Sequence, residues 1–300
     1  MQNNYTTQRL SLDKLTLNDA EFILELVNTP GWLQFIGDRN IHSVADATAY
    51  IQKIIDNANI SYWVVRQKED QTATGVITFI KRDYLDYHDI GFAFLPAYAG
   101  QGYAAEAAFA VLQDAVSDPA HTYVLATTIK ENTSSIKLLQ KLGLRYREEV
   151  TSEGELLHVY AVHADKVQID HLTRTFFSAF TNIARQPNLE IIQDVCIAEV
   201  LIIKKAGTTE TIYNLESFIE PRRTILSDGT LANFEERETN EQTTINSNMA
   251  QRSSQYEKTG HLNGVYFHEF GNKMFQFIKT GSGWRICAVT WEDRAIVTDN

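Results

Sequence analysis

The 300-residue chain has only two cysteines and five prolines, and it has no long hydrophobic run. Cys196 and Cys287 lie among apolar neighbours and form no CxxC or Cys/His spacing. We therefore expect buried, reduced thiols rather than a disulfide or a metal site. No apolar run approaches the roughly 18 residues needed to cross a bilayer. The amino terminus lacks the basic-then-apolar layout of a signal peptide. These features favour a cytoplasmic protein without a membrane partner or a bound metal.

Basic residues are also too few for a nucleic-acid-binding surface. The formal net charge is -11, and neither half of the chain is basic. Residues 1–164 carry 13 Lys and Arg against 20 Asp and Glu, and residues 165–300 carry 14 against 18. Binding the phosphate backbone of a nucleic acid needs clustered Lys and Arg. We therefore expect no nucleic-acid partner.

The length suits two domains of about 150 residues each. In the first part of the chain, the sequence pattern predicts two helices, then three strands, and then alternating strands and helices. This order indicates a mixed α/β sheet. Ser43, with Asp46 three residues later, is typical of a helix start. The predicted helices and strands include "LNDAEFILELVN", "SVADATAYIQKIID", "SYWVVRQ", "ATGVITFI", "DIGFAF", "GYAAEAAFAVLQDAV", "TYVLATTI" and "NTSSIKLLQKLG". The segment "LRYREEVTSEGELLHVYAV" predicts a hairpin at the end of this set.

The pattern changes near residue 164. "IDHLTRTFFSAFTNIAR" predicts an amphipathic helix with one apolar side, and long strand-like segments follow it, as in an α+β domain. We place the domains at residues 1–164 and 165–300. The predicted apolar side of the helix consists of Leu172, Phe176, Phe177, Phe180 and Ile183.

The segment "PAYAGQGYAAEA" places a Gly-x-Gly turn between the strand "HDIGFAF" and an Ala-rich helix. The first N–H groups of a helix are unpaired and bind phosphate. Gly100 and Gly102 would let the backbone approach such a ligand closely. The segment is not a dinucleotide-binding fingerprint, because the third glycine and the ribose-binding acid are missing.

This segment resembles the acyl-CoA-binding motif R/Q-x-x-G-x-G/A of the GCN5-related N-acetyltransferases (GNAT family), with Ala99 in place of Gln or Arg. Its residue pattern most resembles that of the branch that acetylates the amino termini of ribosomal proteins. "KENTSSIKLLQKLGL" resembles a second family motif, with Asn132, Ser135, Lys141 and Gly143 in register. "GWLQFIGDRNIHSVADATAYI" is similar to the loop and helix that shape the acceptor site. The matches keep their order across residues 6–163.

The resemblance implies a GNAT acyl-CoA acyltransferase fold that moves an acetyl group from acetyl-CoA directly to an amine. The amine would be a protein N-terminus or a small molecule. Asn132 would hydrogen-bond near the pantetheine arm, and the Ser135 hydroxyl would protonate the departing thiolate. The backbone groups implied to hold the cofactor belong to Phe92, Ala93, Phe94 and Leu95 for pantetheine, and to Gly100, Gln101, Gly102, Tyr103 and Ala104 for pyrophosphate.

The attacking amine must lose a proton, and a carboxylate can accept it. Asp89 lies where relatives often carry Glu, so we consider it as the base; the alternative is a solvated acid at a strand edge. His88 would face the opposite side of a regular strand. Glu106 lies in the first turns of the predicted helix, where a structural role is favoured.

The loop after the first helix supplies the candidate acceptor-binding residues Trp32, Phe35 and Arg39. Two alternatives stay open. Trp32 and Phe35 could pack between helices, and Asp38 with Arg39 could form a local ion pair.

The second half resembles the nuclear-transport-factor-like, SnoaL-like group of cystatin-like α+β cones over residues 168–296. The resemblance rests on the Phe-rich helix, the hairpin "TGSGW" and the final strand "WRICAVTWED". Members use the cone for catalysis, ligand binding or dimerisation, so a homodimer through this domain is one implied partner. Two alternatives to an acetyltransferase follow: a non-catalytic CoA-binding or ligand-binding regulator, and an isomerase or hydrolase in the cone. Candidate cavity residues are Tyr213, Arg252, Tyr256, His268 and Trp291. For each of them a structural role is favoured: packing in the core or at the rim for the Tyr and Trp residues, and a structural histidine for His268.

Overall fold

The structure, a computed structural model, describes residues 1–152 and 154–294. It divides into two compact units, residues 1–167 and the residues from Gln168 onward. The domain boundary at residue 164 stays a prediction. Glu153, in the turn of a predicted hairpin, and residues 295–300 of the predicted second domain lie outside the described residues.

An eight-stranded sheet forms the framework of the first unit. Its order is β1-β2-β3-β4-β5-β6-β8-β7, and only β5 and β6 run parallel. The strands predicted from sequence are present, whereas the short, partly polar β1 and β2 were missed. The strands are β1 Asn4–Thr6, β2 Leu10–Lys14, β3 Ile60–Gln67, β4 Ala73–Ile80, β5 Asp89–Phe94, β6 Tyr123–Thr128, β7 Arg145–Ser152 and β8 Glu155–His163.

Helices cover both faces of this sheet. Three of them pack on one face, over a core that includes Val64 and Val76, and two pack on the other, over Ile77 and Val124. Ser43 begins the third helix as predicted, because its hydroxyl accepts a hydrogen bond from the N–H of Asp46. The helices are α1 Ala20–Val27, α2 Pro30–Phe35, α3 Val44–Ile55, α4 Tyr103–Ser117 and α5 Thr133–Lys141.

The second unit is rich in β-sheet. Its six-stranded sheet has the order β10-β9-β14-β13-β12-β11, and β9 and β14 run parallel. Helix α6, Ala164–Ser178, contains the boundary between the units. The other elements are α7 Ile191–Val195, β9 Cys196–Ala206, β10 Thr209–Tyr213, α8 Leu215–Ser227, β11 Leu231–Asn246, β12 Met249–Leu262, β13 Val265–Thr280 and β14 Gly283–Arg294.

The predicted Phe-rich helix is too long at its carboxyl end. It stops at Ser178, and Ile183 is 43% exposed rather than part of the apolar side. Asn182 holds the turn that follows, since its side-chain amide donates to the carbonyls of Leu226 and Leu231. The other four predicted residues, Leu172, Phe176, Phe177 and Phe180, are buried as expected.

Sequence reasoning missed α7 and α8. Helix α7 has only five residues, which is too short to show a helical period. Helix α8 carries Pro221 in its interior, where proline usually ends a helix. Its start is nevertheless well capped, because the Asn214 side chain accepts a hydrogen bond from the N–H of Ser217.

Both cysteines are free thiols, as the sequence predicts. Cys196 is buried, which raises the pKa of its thiol to about 12, whereas Cys287 is only partly buried. The expectation of burial is therefore met for one of the two. Among the described residues, no helix is long and apolar enough to cross a membrane.

Candidate active site

Strands β5 and β6 form a fork. They pair at one position, Asp89 with Leu125, whereas β4 and β5 pair at six positions. Backbone hydrogen bonds alternate between the two sides of a strand. The N–H of Leu95 donates to the carbonyl of Thr74, beside β4. The backbone groups of Phe92 and Phe94 therefore point away from β4, into the fork.

The carboxylate of Asp89 lies where the fork begins. One oxygen accepts hydrogen bonds from the N–H and the hydroxyl of Thr127, at 3.1 and 2.9 Å, and the other lies 3.3 Å from the guanidinium of Arg82. Asp89 is only 2% exposed, so the alternative of a solvated strand-edge acid is wrong. Burial opposes the charge on Arg82, but Asp89 holds its pKa above the ordinary value. This geometry indicates a charged pair.

The start of α4 presents a row of free backbone N–H groups. Gly100 and Gly102 have φ angles of +75° and +82°, which favour glycine. Within the described chain, the N–H groups of residues 100–105 donate no hydrogen bond. The N–H of Glu106 is the first that does, to the carbonyl of Gly102 at 3.1 Å. Such a helix start can bind an anion through its amides and its dipole.

Glu106 and Arg9 link the start of α4 to the residues that immediately precede β2. The Glu106 carboxylate accepts hydrogen bonds from the Thr7 hydroxyl at 2.6 Å and from Arg9 Nε at 2.7 Å. Arg9 also donates to the carbonyl of Gln101 at 3.0 Å and lies over the Tyr103 ring. Burial opposes ionisation of Glu106, but these hydrogen bonds hold its pKa below the ordinary value. The contacts support the structural role expected for Glu106.

Asn132 and Ser135 lie together at the start of α5. The side-chain oxygen of Asn132 accepts a hydrogen bond from the N–H of Ser135 at 3.1 Å and caps the helix. Both residues are partly buried. No hydrogen bond to another described residue uses the Ser135 hydroxyl. That hydroxyl is therefore available to a ligand.

Polar side chains occupy the sheet face that carries Asp89. Tyr62 of β3 pairs with Thr78 of β4, and Thr78 pairs with Gly91 of β5. Burial and the neighbouring hydroxyl of Tyr50 raise the pKa of Tyr62, against the opposing charges of Arg39 and Arg82. Sequence reasoning missed Tyr62, Arg82 and Thr127 as site residues. The signal was present for Tyr62 and Thr78, which are polar groups at inward-facing positions of apolar strands.

The three predicted acceptor-binding residues differ in environment. Trp32 is 4% exposed and packs in the core with residues of α1 and α3, which supports the packing alternative. Its indole N–H is buried and has no acceptor among the described residues. Phe35 is partly buried, and Arg39 is exposed. The Asp38–Arg39 ion pair is not found in the described chain; Asp38 instead accepts a hydrogen bond from the N–H of Asn40 at 2.7 Å.

His88 faces the opposite side of the sheet from Asp89, as predicted. Its ring stacks on Phe79 at 4.8 Å and contacts the His121 ring edge-on at 4.6 Å. Burial, His121 and Lys81 lower the pKa of His88. His88 therefore belongs to the α4 side of the sheet.

Comparison with known proteins gives a family for this region. Residues 9–145 match the family model described as the Acetyltransferase (GNAT) domain. The chain is 28% identical over 140 residues to the N-acetyltransferase YnaD of Bacillus subtilis, across 47% of this chain and 81% of that protein. It is 26% identical over 163 residues to the N-acetyltransferase p20 of Bacillus licheniformis, across 51% of this chain and 91% of that protein.

Part of the chain is similar to a solved structure of a GNAT-family acetyltransferase from Bacillus anthracis. It has a TM-score of 0.47 and 23% identity, and the match covers 54% of this chain and 98% of that one. The family match confirms the GNAT prediction for the first part of the chain. The protein is an N-acetyltransferase with its GNAT domain within residues 9–145.

Most of the candidate cavity residues in the second unit are held by other side chains, which supports their favoured structural roles. Trp291 does line a cavity there. Arg252 is buried among the carboxylates of Asp170, Glu238 and Glu241. The other three make side-chain contacts: Tyr256 with Asp293, His268 with Glu257, and Tyr213 with the Trp291 ring.

Proposed function

We propose that the protein transfers the acetyl group of acetyl-CoA directly to an amine at the fork between β5 and β6. The observation that carries this proposal is the single pairing of Asp89 with Leu125. The strand edge beyond it is open, and in the described chain the free N–H groups of residues 100–105 follow soon after β5. Acetyl-CoA would match these two features, because it has an extended pantetheine arm and a pyrophosphate group.

The backbone would supply most of the cofactor-binding groups. The N–H and C=O groups of Phe92 and Phe94 point into the fork and suit the amides of pantetheine. The pyrophosphate would accept hydrogen bonds from the N–H groups of Gly100 to Ala104. Asn132, whose oxygen already caps α5, has its side-chain N–H groups left for the pantetheine arm.

Two side chains would move protons. The amine nitrogen attacks the thioester carbonyl carbon, the C–S bond breaks, and an amide and CoA result. Asp89 would accept the proton that the amine loses, directly or through one water. The Ser135 hydroxyl would donate a proton to the departing thiolate and recover one from solvent.

The acceptor is an amine on a protein N-terminus or a small molecule, and membership of the ribosomal-protein branch stays a proposal. Tyr62, Thr78 and the exposed Arg39 would border the acceptor. The second unit would be a SnoaL-like cone that binds a ligand or forms a homodimer. The cysteine usage of the chain favours a cytoplasmic location.

Thiol release from acetyl-CoA tests this function. The full-length protein would be mixed with acetyl-CoA and, in turn, spermidine, tryptamine and short peptides with free Ser or Ala amino termini. We expect at least one amine to raise thiol release well above the amine-free rate. If calorimetry shows acetyl-CoA binding and no amine raises the rate, the protein binds the cofactor without turnover. If acetyl-CoA does not bind, the site itself is wrong.

A further inference from the structure

A cavity of about 490 Å³ lies within the second unit. Its walls come from α6, α8 and the sheet, and its volume is in the range of small-molecule sites, about 300–1,000 Å³. Three residues of the β12–β13 hairpin line it and expose large apolar surfaces to solvent: Leu262, Val265 and Tyr266, at 48%, 70% and 60%. Exposed apolar groups beside a cavity are typical of a ligand-binding site.

Most of the charges in the cavity neutralise one another. Lys273 pairs with Glu236 at 2.8 Å. Lys258 pairs with Asp293 at 2.8 Å and with Glu269 at 3.0 Å. These residues line the cavity together with Lys204, which lies 3.2 Å from the second carboxylate oxygen of Asp293. Three lysines thus face three carboxylates, and this group carries no net charge.

Arg222 is a further cation in the cavity wall, and within residues 1–152 and 154–294 no carboxylate lies within ion-pairing distance of it. Its guanidinium donates to the carbonyl of Phe218 at 2.8 Å, and it lies 3.8 Å from the Phe218 ring. It also lies 5.3 Å from the Tyr213 ring and 5.8 Å from the Trp291 ring.

Arginine stays protonated in proteins, so this site keeps its positive charge. Burial lowers the pKa of Arg222, whereas Tyr213, Glu236 and Asp293 act in the opposite direction. The two carboxylates are already paired with Lys273 and Lys258. A guanidinium has five N–H donors, and the Phe218 carbonyl and the Tyr213 hydroxyl use only part of them. The remaining donors of this partly buried group suit an anionic, planar group that accepts two hydrogen bonds.

We propose that this cavity binds a small aromatic or apolar carboxylate, with the carboxylate against Arg222 and the apolar body among the phenylalanine side chains. The rings available to that body include Phe176, Phe218, Phe234 and Phe267. An anion adds the one charge that the cavity lacks, and a cation would face an uncompensated guanidinium. A neutral amide of the same shape offers one acceptor oxygen in place of two and leaves the guanidinium charge uncompensated.

Calorimetry with three probes of one shape tests this proposal: cinnamate, cinnamamide and cinnamylamine, which are anionic, neutral and cationic. With the full-length protein, we expect cinnamate to bind at least about tenfold more tightly than cinnamamide, because a hydrogen-bonded charge is lost. Cinnamylamine should bind most weakly. Equal affinities for cinnamate and cinnamamide, or no binding of any probe, would overturn the proposal.

Substitutions in α8 test whether Arg222 is the group that recognises the carboxylate. Arg222→Met should bind cinnamate and cinnamamide equally. Arg222→Lys keeps the charge without the planar fork, so it should bind cinnamate more weakly than wild type and still prefer it. Arg223→Met is the matched control, because Arg223 is exposed and pairs with Glu190 and Glu220. If Arg222→Met keeps the preference for cinnamate, or Arg223→Met loses it, the assignment to Arg222 is wrong.

Discussion

The backbone N–H and the hydroxyl of Thr127 both donate to a single carboxylate oxygen of Asp89. A strand N–H normally finds its acceptor on the neighbouring strand. Here a side chain takes that place at the point where β5 and β6 separate. Asp89 therefore stabilises the fork, in addition to its proposed role as proton acceptor.

Replacing Asp89 by Asn should lower kcat about 10²–10⁴-fold, because an amide cannot act as the base. The affinity for acetyl-CoA, measured by calorimetry, should stay close to wild type, since the proposed cofactor contacts are made mainly by backbone groups. The residual rate should rise with pH as the unprotonated amine becomes more abundant. A pH–rate series on both proteins checks this.

Thr127→Val is the matched control for the Asp89 substitution. It removes one hydrogen bond at the fork and leaves the carboxylate in place. It should lower stability by about 1 kcal/mol, as loss of one hydrogen bond does, and change kcat little. If both variants reduce kcat alike, or Asp89→Asn has the wild-type pH profile, Asp89 serves the fork alone.

Gly102→Val should weaken acetyl-CoA binding about tenfold or more, because a branched side chain would crowd the free N–H groups that are proposed to hold the pyrophosphate. The residue also has a positive φ of +82°, so the substitution strains the backbone as well. Gly207→Val separates the two effects. Gly207 has a φ of +56° and open space around it, in the other unit. The Gly207→Val protein should be less stable than wild type and should keep its affinity for acetyl-CoA. If a folded Gly102→Val protein binds acetyl-CoA as tightly as wild type, Gly102 does not lie at the pyrophosphate site.

Glu106 should stabilise the first unit in a pH-dependent way. Its pKa is lower in the folded protein than the ordinary 4.5. The stabilisation is therefore fully present above pH 4.5 and is lost as the pH falls through the folded-state pKa. Urea unfolding of wild type and Glu106→Gln, followed through the transition that acetyl-CoA shifts, should differ by about 1–2 kcal/mol at neutral pH. The difference should shrink on acidification; a difference that is independent of pH would contradict this assignment.

The strands and helices around the candidate active site were predictable because their signals are local. β-Branched and aromatic residues mark β3 to β5, Ser43 caps α3, and Gly100 and Gly102 precede the start of α4. The fork was not predictable, because it depends on which strand lies beside β5 and where their pairing ends. The contact between Asp89 and Thr127 spans 38 residues, and no local pattern encodes it.

The second unit shows the same limit. The Phe-rich side of α6 was evident from its helical period. Arg222 was not a candidate, because Pro221 argues against a helix at the position of α8, which carries Arg222. Arg252 was a candidate and is instead enclosed by carboxylates from α6 and β11. Composition shows that charges are present, but only the fold shows which of them are paired.

The last prediction concerns where the first domain ends. Ala164 and Val167 belong to the core of the first unit, and Val167 is 1% exposed, whereas Ile169 belongs to the core of the second. Residues 1–167 alone should therefore fold and bind acetyl-CoA. A fragment ending at residue 163 should be less stable by about 2 kcal/mol, the value of one buried valine. Melting curves with and without acetyl-CoA check both fragments, and Val167→Ala in the longer one isolates the valine. If residues 1–167 are insoluble, or acetyl-CoA does not raise their melting temperature, the two domains depend on each other for folding.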